Sequence, residues 1–272
     1  RRKSLMDWLW NLGTLAPLAN LRELFLAGTR VTERGMATVA AFEHLEGLGL
    51  RGTRVTDSGL ERLGTLKGLL HLTLAETQVT DEGLRHLAGM PHLESLDLKK
   101  TAVTGAGLAH LAGSPAMLRL QLGNTPTTDA ALVHVATFRS LKYLDLSGTR
   151  VTDDGLARLA GLPRLEYLLL ADTALTDAGL GQVARLPALV WLRLDRTAVT
   201  DRGLQTLAPL ENLRTVVANG TAITEQGLDE NQYRLLMLAP ERLFQAGFLQ
   251  RLQSLKVRRF VIDEAHCISH WG

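Results

Sequence analysis

The chain ends on VIDEAHCISHWG, residues 261–272. An apolar, strand-like run leads directly into Asp263-Glu264-Ala265-His266. Two adjacent carboxylates at the end of a strand can hold a divalent cation through water and orient an attacking water. Positioning and metal charge are most of what phosphoryl transfer asks of a protein. That chemistry also needs a loop that cradles phosphate, G-x-x-x-x-G-K-[ST]. No Gly-Lys dipeptide occurs in the 272 residues. Without a held γ-phosphate, Glu264 has no substrate to act on.

No other set of residues points to catalysis. His44, His86, His110 and His134 fall in stretches read as helical and outward-facing, and no Cys/His/Asp set recurs at ligand spacing. Cys267 is the single cysteine, so no intrachain disulfide can form, which fits a reducing, cytoplasmic setting. Net charge is +2, and so even a balance leaves no broad electrostatic footprint for nucleic acid. No apolar run is long enough to cross a bilayer. The basic start RRKSLMDWLW resembles a secretion signal, but Asp7 interrupts it. The first residue is Arg, so the true N-terminus is expected to be missing.

The elements that would position these groups come from a repeat. L-x-x-L-x-L-x-x-T-x-V-T-D-x-G-L-x-x-L-A-x-L-x-x recurs every 24 residues, with its first Thr at Thr29, Thr53, Thr77, Thr101, Thr125, Thr149, Thr173, Thr197 and Thr221. The stretch 12–21 matches 204–213, so the array begins inside an earlier partial repeat. In LRELFLAGT the leucines alternate, which predicts a short strand with one buried face. Thr-Asp then starts a helix: the Thr oxygen can cap a free N–H, and Asp suits the positive helix end. GLxxLAxL places leucines on one helical face. One such unit cannot bury its own leucines, so the units must stack. The recurrent Thr is expected to bond loop backbone groups. The recurrent Gly at 35, 59, 83, 107, 155, 179, 203 and 227 is expected to allow close packing, with Ala131 showing that the position tolerates a methyl.

On these residues the chain resembles the leucine-rich-repeat family over about 12–228. TDxGLxxL is similar to the subtype that usually carries Cys at the ladder position. Thr stands there instead, as in a bacterial-style variant. The resemblance implies an arc whose parallel sheet lines a concave, protein-binding face. The third, fifth and seventh positions of L-x-x-L-x-L-x should face solvent there. Tyr143, Tyr167 and Trp191 fall at the third position of consecutive repeats, about 4.8 Å apart. Asp145, Arg193 and Asp195 are expected around them. Aromatic anchors with a charged rim read as a binding hot spot. The competing reading is that the rings only cover the sheet, as strand aromatics often do.

After Gly227 the period is lost. Residues 234–238 read as strand, 241–255 as helix with Leu243, Phe244, Phe248, Leu249, Leu252 and Leu255 on one face, and 258–262 as strand. This is a β-α-β unit. YRLLMLAPERL and VIDEAHCISHWG resemble the RecQ family of DNA helicases, over 231–272. The resemblance implies that Asp263 holds magnesium through water, Glu264 orients the attacking water, and His266 links hydrolysis to DNA contact. Trp271 would open a loop coupling DNA to the ATPase. ATP and magnesium would be the cofactors of an intact relative; none is expected for this chain, which is expected not to hydrolyse ATP. DNA would be a partner only with the missing helicase parts. Arg234 and Arg258 lie 24 residues apart, the interval of the array. The unit is therefore expected to stack on the last repeat and extend the sheet. A chimeric reading frame and a window on a larger protein both account for the junction.

The expected fold class is α/β: a leucine-rich-repeat solenoid with a C-terminal β-α-β unit from a truncated RecA-like lobe. Its expected divisions are a partial repeat or cap at 1–20, nine repeats at 21–228, and a truncated RecQ-like fragment at 229–272. The expected function is non-enzymatic binding of a protein partner, with no membrane association. The alternative is a fragment of an ATP-dependent RecQ-like DNA helicase.

Overall fold

The computed structural model describes residues 20–223 and the strand Leu235–Met237. The chain divides into two compact units, Arg1–Tyr143 and Leu144–Gly272. In the first unit, β1 (Glu23–Phe25), β2 (Gly47–Gly49), β3 (His71–Thr73), β4 (Ser95–Asp97) and β5 (Arg119–Gln121) pair successively, all parallel. β6 spans Tyr143–Asp145. In the second unit, β7 (Tyr167–Leu169), β8 (Trp191–Arg193) and β9 (Thr215–Val217) do the same. The register is the sequence period: Leu24 pairs with Leu48, Leu48 with Leu72, and Leu168 with Leu192. A residue is therefore paired with its own equivalent in the next repeat, and each leucine row stacks into a continuous core. Leu48, Leu72, Leu96 and Leu120, like Leu168 and Leu192, are buried.

β10 (Leu235–Met237) pairs in parallel with β9, Leu235 opposite Thr215 and Met237 opposite Val217. The first strand expected after the array thus does extend its sheet, although its separation from β9 departs from the 24-residue interval. The expected helix at 241–255 and strand at 258–262 lie outside the described residues, as does the partial repeat at 12–19.

The return segments are shorter than the leucine spacing predicts. Among the described residues the longest helices, α1 (Glu33–Val39), α2 (Asp57–Leu63) and α6 (Asp177–Val183), hold seven residues each. Others are a single α-turn continued as 3-10 helix: α3 (Asp81–Leu84) runs into Arg85–Leu87, and α5 (Asp153–Leu156) into Ala157–Gly161. Ala106–Leu111 is 3-10 throughout. Remaining are α4 (Leu132–Val135) and α7 (Asp201–Gln205). A 24-residue circuit that must return to the next strand leaves room for only one or two turns.

The threonines behave as expected. Each ladder hydroxyl, from Thr29 to Thr221, donates to the carbonyl three residues earlier at 2.6–2.9 Å. All but Thr29 are buried. A donor closed inside the coil is thereby satisfied without help from a neighbouring repeat.

The Thr-Asp pair does something the local reading did not anticipate. Among the described Thr-Asp pairs, only Thr80, Thr176 and Thr200 cap their own helices through the side chain, each at 3.3 Å. The Asp carboxylate instead reaches the next repeat. Asp57 accepts from the Thr80 N–H at 2.8 Å and the Thr80 hydroxyl at 2.7 Å. Asp153 receives the same pair of bonds from Thr176, and Asp177 from Thr200. Asp81 accepts from the Thr104 N–H and hydroxyl and from the N–H groups of Gly105 and Gly107. These bonds latch one repeat to the next.

The latch explains the recurrent glycine. A Cβ at Gly83 would stand 2.3 Å from the Asp57 Oδ1; at Gly179 and Gly203 it would stand 2.2 Å from the Oδ1 of Asp153 and of Asp177. At Gly107 it would meet the Asp81 backbone, 2.5 Å from its carbonyl oxygen. At Gly83, Gly179 and Gly203 the preceding carboxylate sits where a methyl would go. Ala131 therefore does not show general tolerance. Its predecessor in the pattern is Gly105, which has no carboxylate, and a Cβ on Gly105 would lie 2.2 Å from the Ala131 Cβ. The methyl has moved from one residue to the other side of a single contact.

Asp81 carries a consequence for pH. Burial raises its carboxyl, but bonds from the Thr104 hydroxyl and from the Gly107, Thr104 and Gly105 N–H groups outweigh this and hold it below the ordinary 3.8. A depressed carboxyl stabilises the fold above its unfolded value, and that contribution is lost as pH falls through the lower folded value. The urea midpoint should therefore fall more steeply below pH 3.8 for the native chain than for Asp81→Asn. Equal slopes in the two titrations would rule this out.

Candidate functional site

The strand faces are described for each unit separately. In the second unit, Tyr167 and Trp191 are register partners on β7 and β8. Tyr167 is 39 % exposed and Trp191 half-buried. Both stand at the first residue of a strand whose central leucine, Leu168 or Leu192, is buried in the core. The pleat thus turns the rings away from the leucines. Arg193, opposite Leu169 and Val217, presents a partly exposed guanidinium between two buried apolar side chains.

The expected charged rim is corrected by the structure. Asp195 is 1 % exposed and Asp145 5 % exposed, so neither presents a free carboxylate to solvent. Asp195 Oδ1 accepts from the Asn219 N–H of the next repeat at 2.8 Å, and its Oδ2 accepts from the Arg193 Nε. Asp145 Oδ1 accepts from the Ser147 N–H at 3.0 Å. Asp195, at the seventh position, already sits where the strand turns into the loop, and loop N–H groups there need acceptors. Asp145, at the fifth, serves the loop that follows its own strand. Arg193 is accordingly the charged group of this patch that reaches solvent, oriented by Asp195.

Other outward positions are closed as well. Thr215 and Val217 of β9 are buried. In the first unit, Gly47 and Gly49 lie beneath Glu23 and Phe25, and the Phe25 ring stands over Gly49 while remaining 71 % exposed. Tyr143 belongs to the first unit, with the Arg119 guanidinium 4.1 Å from its ring centroid. This cation–π contact was not foreseen, although Arg119 and Tyr143 stand 24 residues apart in the pattern.

A second kind of pairing lies in the loops. One loop position per repeat has positive φ, and it is not always glycine: Glu76, Lys100, Asn124, Asp172 and Arg196 all adopt it. Strain of this kind costs roughly 1–3 kcal/mol. Glu76 bonds Lys100 and also Arg51, and Arg196 makes two bonds to Asp172. The Lys100 and Arg51 side chains hold the Glu76 carboxyl below its ordinary value, and Arg196 does the same for Asp172. These pairs are solvent-exposed and therefore weak.

Asp263, Glu264, His266 and Trp271 lie outside the described residues. Among the described residues, no group of three or more His, Cys, Asp or Glu is placed to hold a metal ion. No helix among them is long and apolar enough to cross a membrane. His86, His110 and His134 lie in helical turns as expected, whereas His44 lies in the turn after α1.

Parallel three-residue strands at a fixed period, a leucine core and a threonine-lined loop define an α/β solenoid of leucine-rich repeats. A family profile described as leucine-rich repeat matches residues 89–112 and 139–160. Among solved structures, an internalin from Listeria monocytogenes, internalin F, superposes with TM-score 0.62 at 18 % identity, over 95 % of this chain and 88 % of that one. Internalin C2 from the same organism gives TM-score 0.50 at 24 % identity, over 85 % and 83 %. These likenesses concern the fold. A short stretch is also similar to helicases. It is 50 % identical over 42 residues to the probable ATP-dependent DNA helicase RecS of Bacillus subtilis, covering 15 % of this chain and 8 % of that protein. It is 44 % identical over 45 residues to the ATP-dependent DNA helicase RecQ of Haemophilus influenzae, covering 16 % of this chain and 7 % of that protein. The chain thus spans less than a tenth of the length of these curated relatives.

Proposed function

We propose that the chain binds a protein partner on the strand face of its second unit, centred on Tyr167 and Trp191. The observation that carries this reading is the in-register pair of large aromatic side chains on the strand face, Tyr167 exposed and Trp191 half-buried, in a sequence with only 5 % aromatics. Aromatic and Arg side chains dominate binding hot spots, and Arg193 stands beside the pair. Asp195 takes the role of positioning Arg193, and Asp145 a structural one. Tyr143, with Arg119 over its ring, is proposed to add a contact surface on the first unit. A cytoplasmic setting accords with this reading and with the single cysteine. In a pull-down with a captured partner, Trp191→Ala should weaken binding by about thirty-fold, the effect of losing a hot spot of about 2 kcal/mol. Arg158→Ala, on the helical side, should leave it unchanged. Undiminished capture by Trp191→Ala would remove the proposed anchor.

A second reading rests on the 50 % identity to helicases over 42 residues. In it, the segment is part of an ATP-dependent RecQ-like DNA helicase, with ATP and magnesium as cofactors and DNA as partner. Asp263 would hold magnesium through water, Glu264 and His266 would act on the attacking water and its coupling to DNA, and Trp271 would open the coupling loop. This chain lacks the Gly-Lys phosphate loop, so it should release no phosphate from ATP above background. Magnesium-dependent turnover that disappears in Glu264→Gln would establish the helicase reading instead.

A further inference from the structure

Arg193 of the strand-face patch is held on one side and open on the other. Its register partners Leu169 and Val217 are both buried, so its aliphatic stem lies between apolar side chains. Its Nε donates to the Asp195 Oδ2. Asp195 is itself fixed: it is 1 % exposed, and its Oδ1 accepts from the Asn219 N–H at 2.8 Å. A guanidinium carries five N–H donors in a rigid fork, and Asp195 takes the one at Nε. Among the described residues Arg193 makes no other hydrogen bond or ion pair, and 37 % of its side chain is exposed. The donors of both terminal nitrogens are therefore left to water. The Asp172 carboxylate, close enough to feel the Arg193 charge, is held instead by two bonds from Arg196.

These donors decide what can cover the patch. A partner that seats an apolar side chain on Tyr167 and Trp191 drives water from the strand face beside them. Charged donors that lose water without gaining an acceptor are strongly unfavourable. Asp195 neutralises the charge of Arg193 but not its terminal N–H groups, so the partner must bring an acceptor of its own. A carboxylate meets a guanidinium edge with two parallel bonds and is a stronger acceptor than a neutral amide or a backbone carbonyl. A Lys or Arg in the same place would set donors against donors.

We propose that the segment this patch takes is acidic: a partner peptide that sets an apolar side chain on Tyr167 and Trp191 and an Asp or Glu carboxylate across the terminal nitrogens of Arg193. This rests on the partner-binding reading given above and names the chemistry of its partner.

The test selects a library of random peptides, displayed on phage, against the full chain. The recovered sequences are then synthesised and their binding is followed by fluorescence anisotropy. Peptides whose binding falls in Trp191→Ala should carry an apolar residue together with an Asp or Glu. Changing that Asp or Glu to Asn or Gln should weaken binding to the native chain by about ten-fold or more, the loss of a hydrogen bond to a charged group. The same change should have no effect on binding to Arg193→Ala, where the carboxylate has no donor to lose. The comparison of acid with amide uses the native chain, so it stays readable if Arg193→Ala does not fold. Trp191-dependent peptides without a carboxylate, or an acid-to-amide loss that is equal in the native chain and in Arg193→Ala, would overturn the proposal and leave the patch itself standing. Recovery of no peptide that depends on Trp191 would overturn both.

Discussion

Gly203→Ala should destabilise the second unit by about 2–4 kcal/mol, even though alanine is the better helix former by about 1 kcal/mol. Gly203 lies within α7, so propensity alone predicts a gain. The structure reverses the sign. The new Cβ would stand 2.2 Å from the Asp177 Oδ1 and 2.8 Å from its Cγ. That carboxylate cannot simply swing aside, because it accepts from the Thr200 N–H at 2.7 Å and the Thr200 hydroxyl at 2.6 Å. Each bond to a charged acceptor is worth about 1.5–3 kcal/mol, and making room for the methyl breaks at least one. Urea denaturation of Gly203→Ala, Asp177→Gly and the double variant would measure the coupling. Asp177→Gly removes both the latch and the clash, so adding Gly203→Ala to it should cost almost nothing. Strictly additive losses would show that the carboxylate is not the obstacle. The chain already contains the compensated arrangement, in Gly105 and Ala131.

Phe138→Ala should cost about 3–5 kcal/mol, the range for deleting a buried aromatic side chain. Phe138 is fully buried and is the largest such side chain among the described residues. A solenoid is a sum of repeats and their interfaces, so the loss should fall on the repeats adjoining residue 138 rather than spread evenly. Hydrogen exchange should accordingly accelerate most at the amides of β5 and α4 and much less at those of β1. An unfolding free energy within about 0.5 kcal/mol of the native chain would place Phe138 outside the core, contrary to its burial.

Much of the fold could be read before any coordinates. A period of 24 residues fixed the strand register, because parallel neighbours pair equivalent residues. Leucine alternation fixed which side of each strand is buried, and the threonines needed only their own loop. The candidate patch was half legible. Tyr167 and Trp191 stand where alternation put them, but Asp145 and Asp195 do not reach solvent. Position in a strand gives the direction of a side chain, not whether a backbone N–H draws it inward.

By itself, then, the sequence determined the class of fold, the pairing of strands, the leucine core and the satisfied threonines. Each of these follows from contacts within one repeat or between equivalent residues. Tertiary structure decided which side chains reach across from one repeat to the next. Asp57 meets Thr80 and Gly83, which are not its equivalents, whereas Asp195 bonds the backbone of its own equivalent Asn219 and the Arg119 guanidinium lies over the ring of its equivalent Tyr143. Such pairings depend on how far each turn advances and tilts as it stacks, a quantity set by packing volume and not by local pattern. For that reason Ala131 reads as tolerance in the sequence and, in the structure, as the counterpart of Gly105.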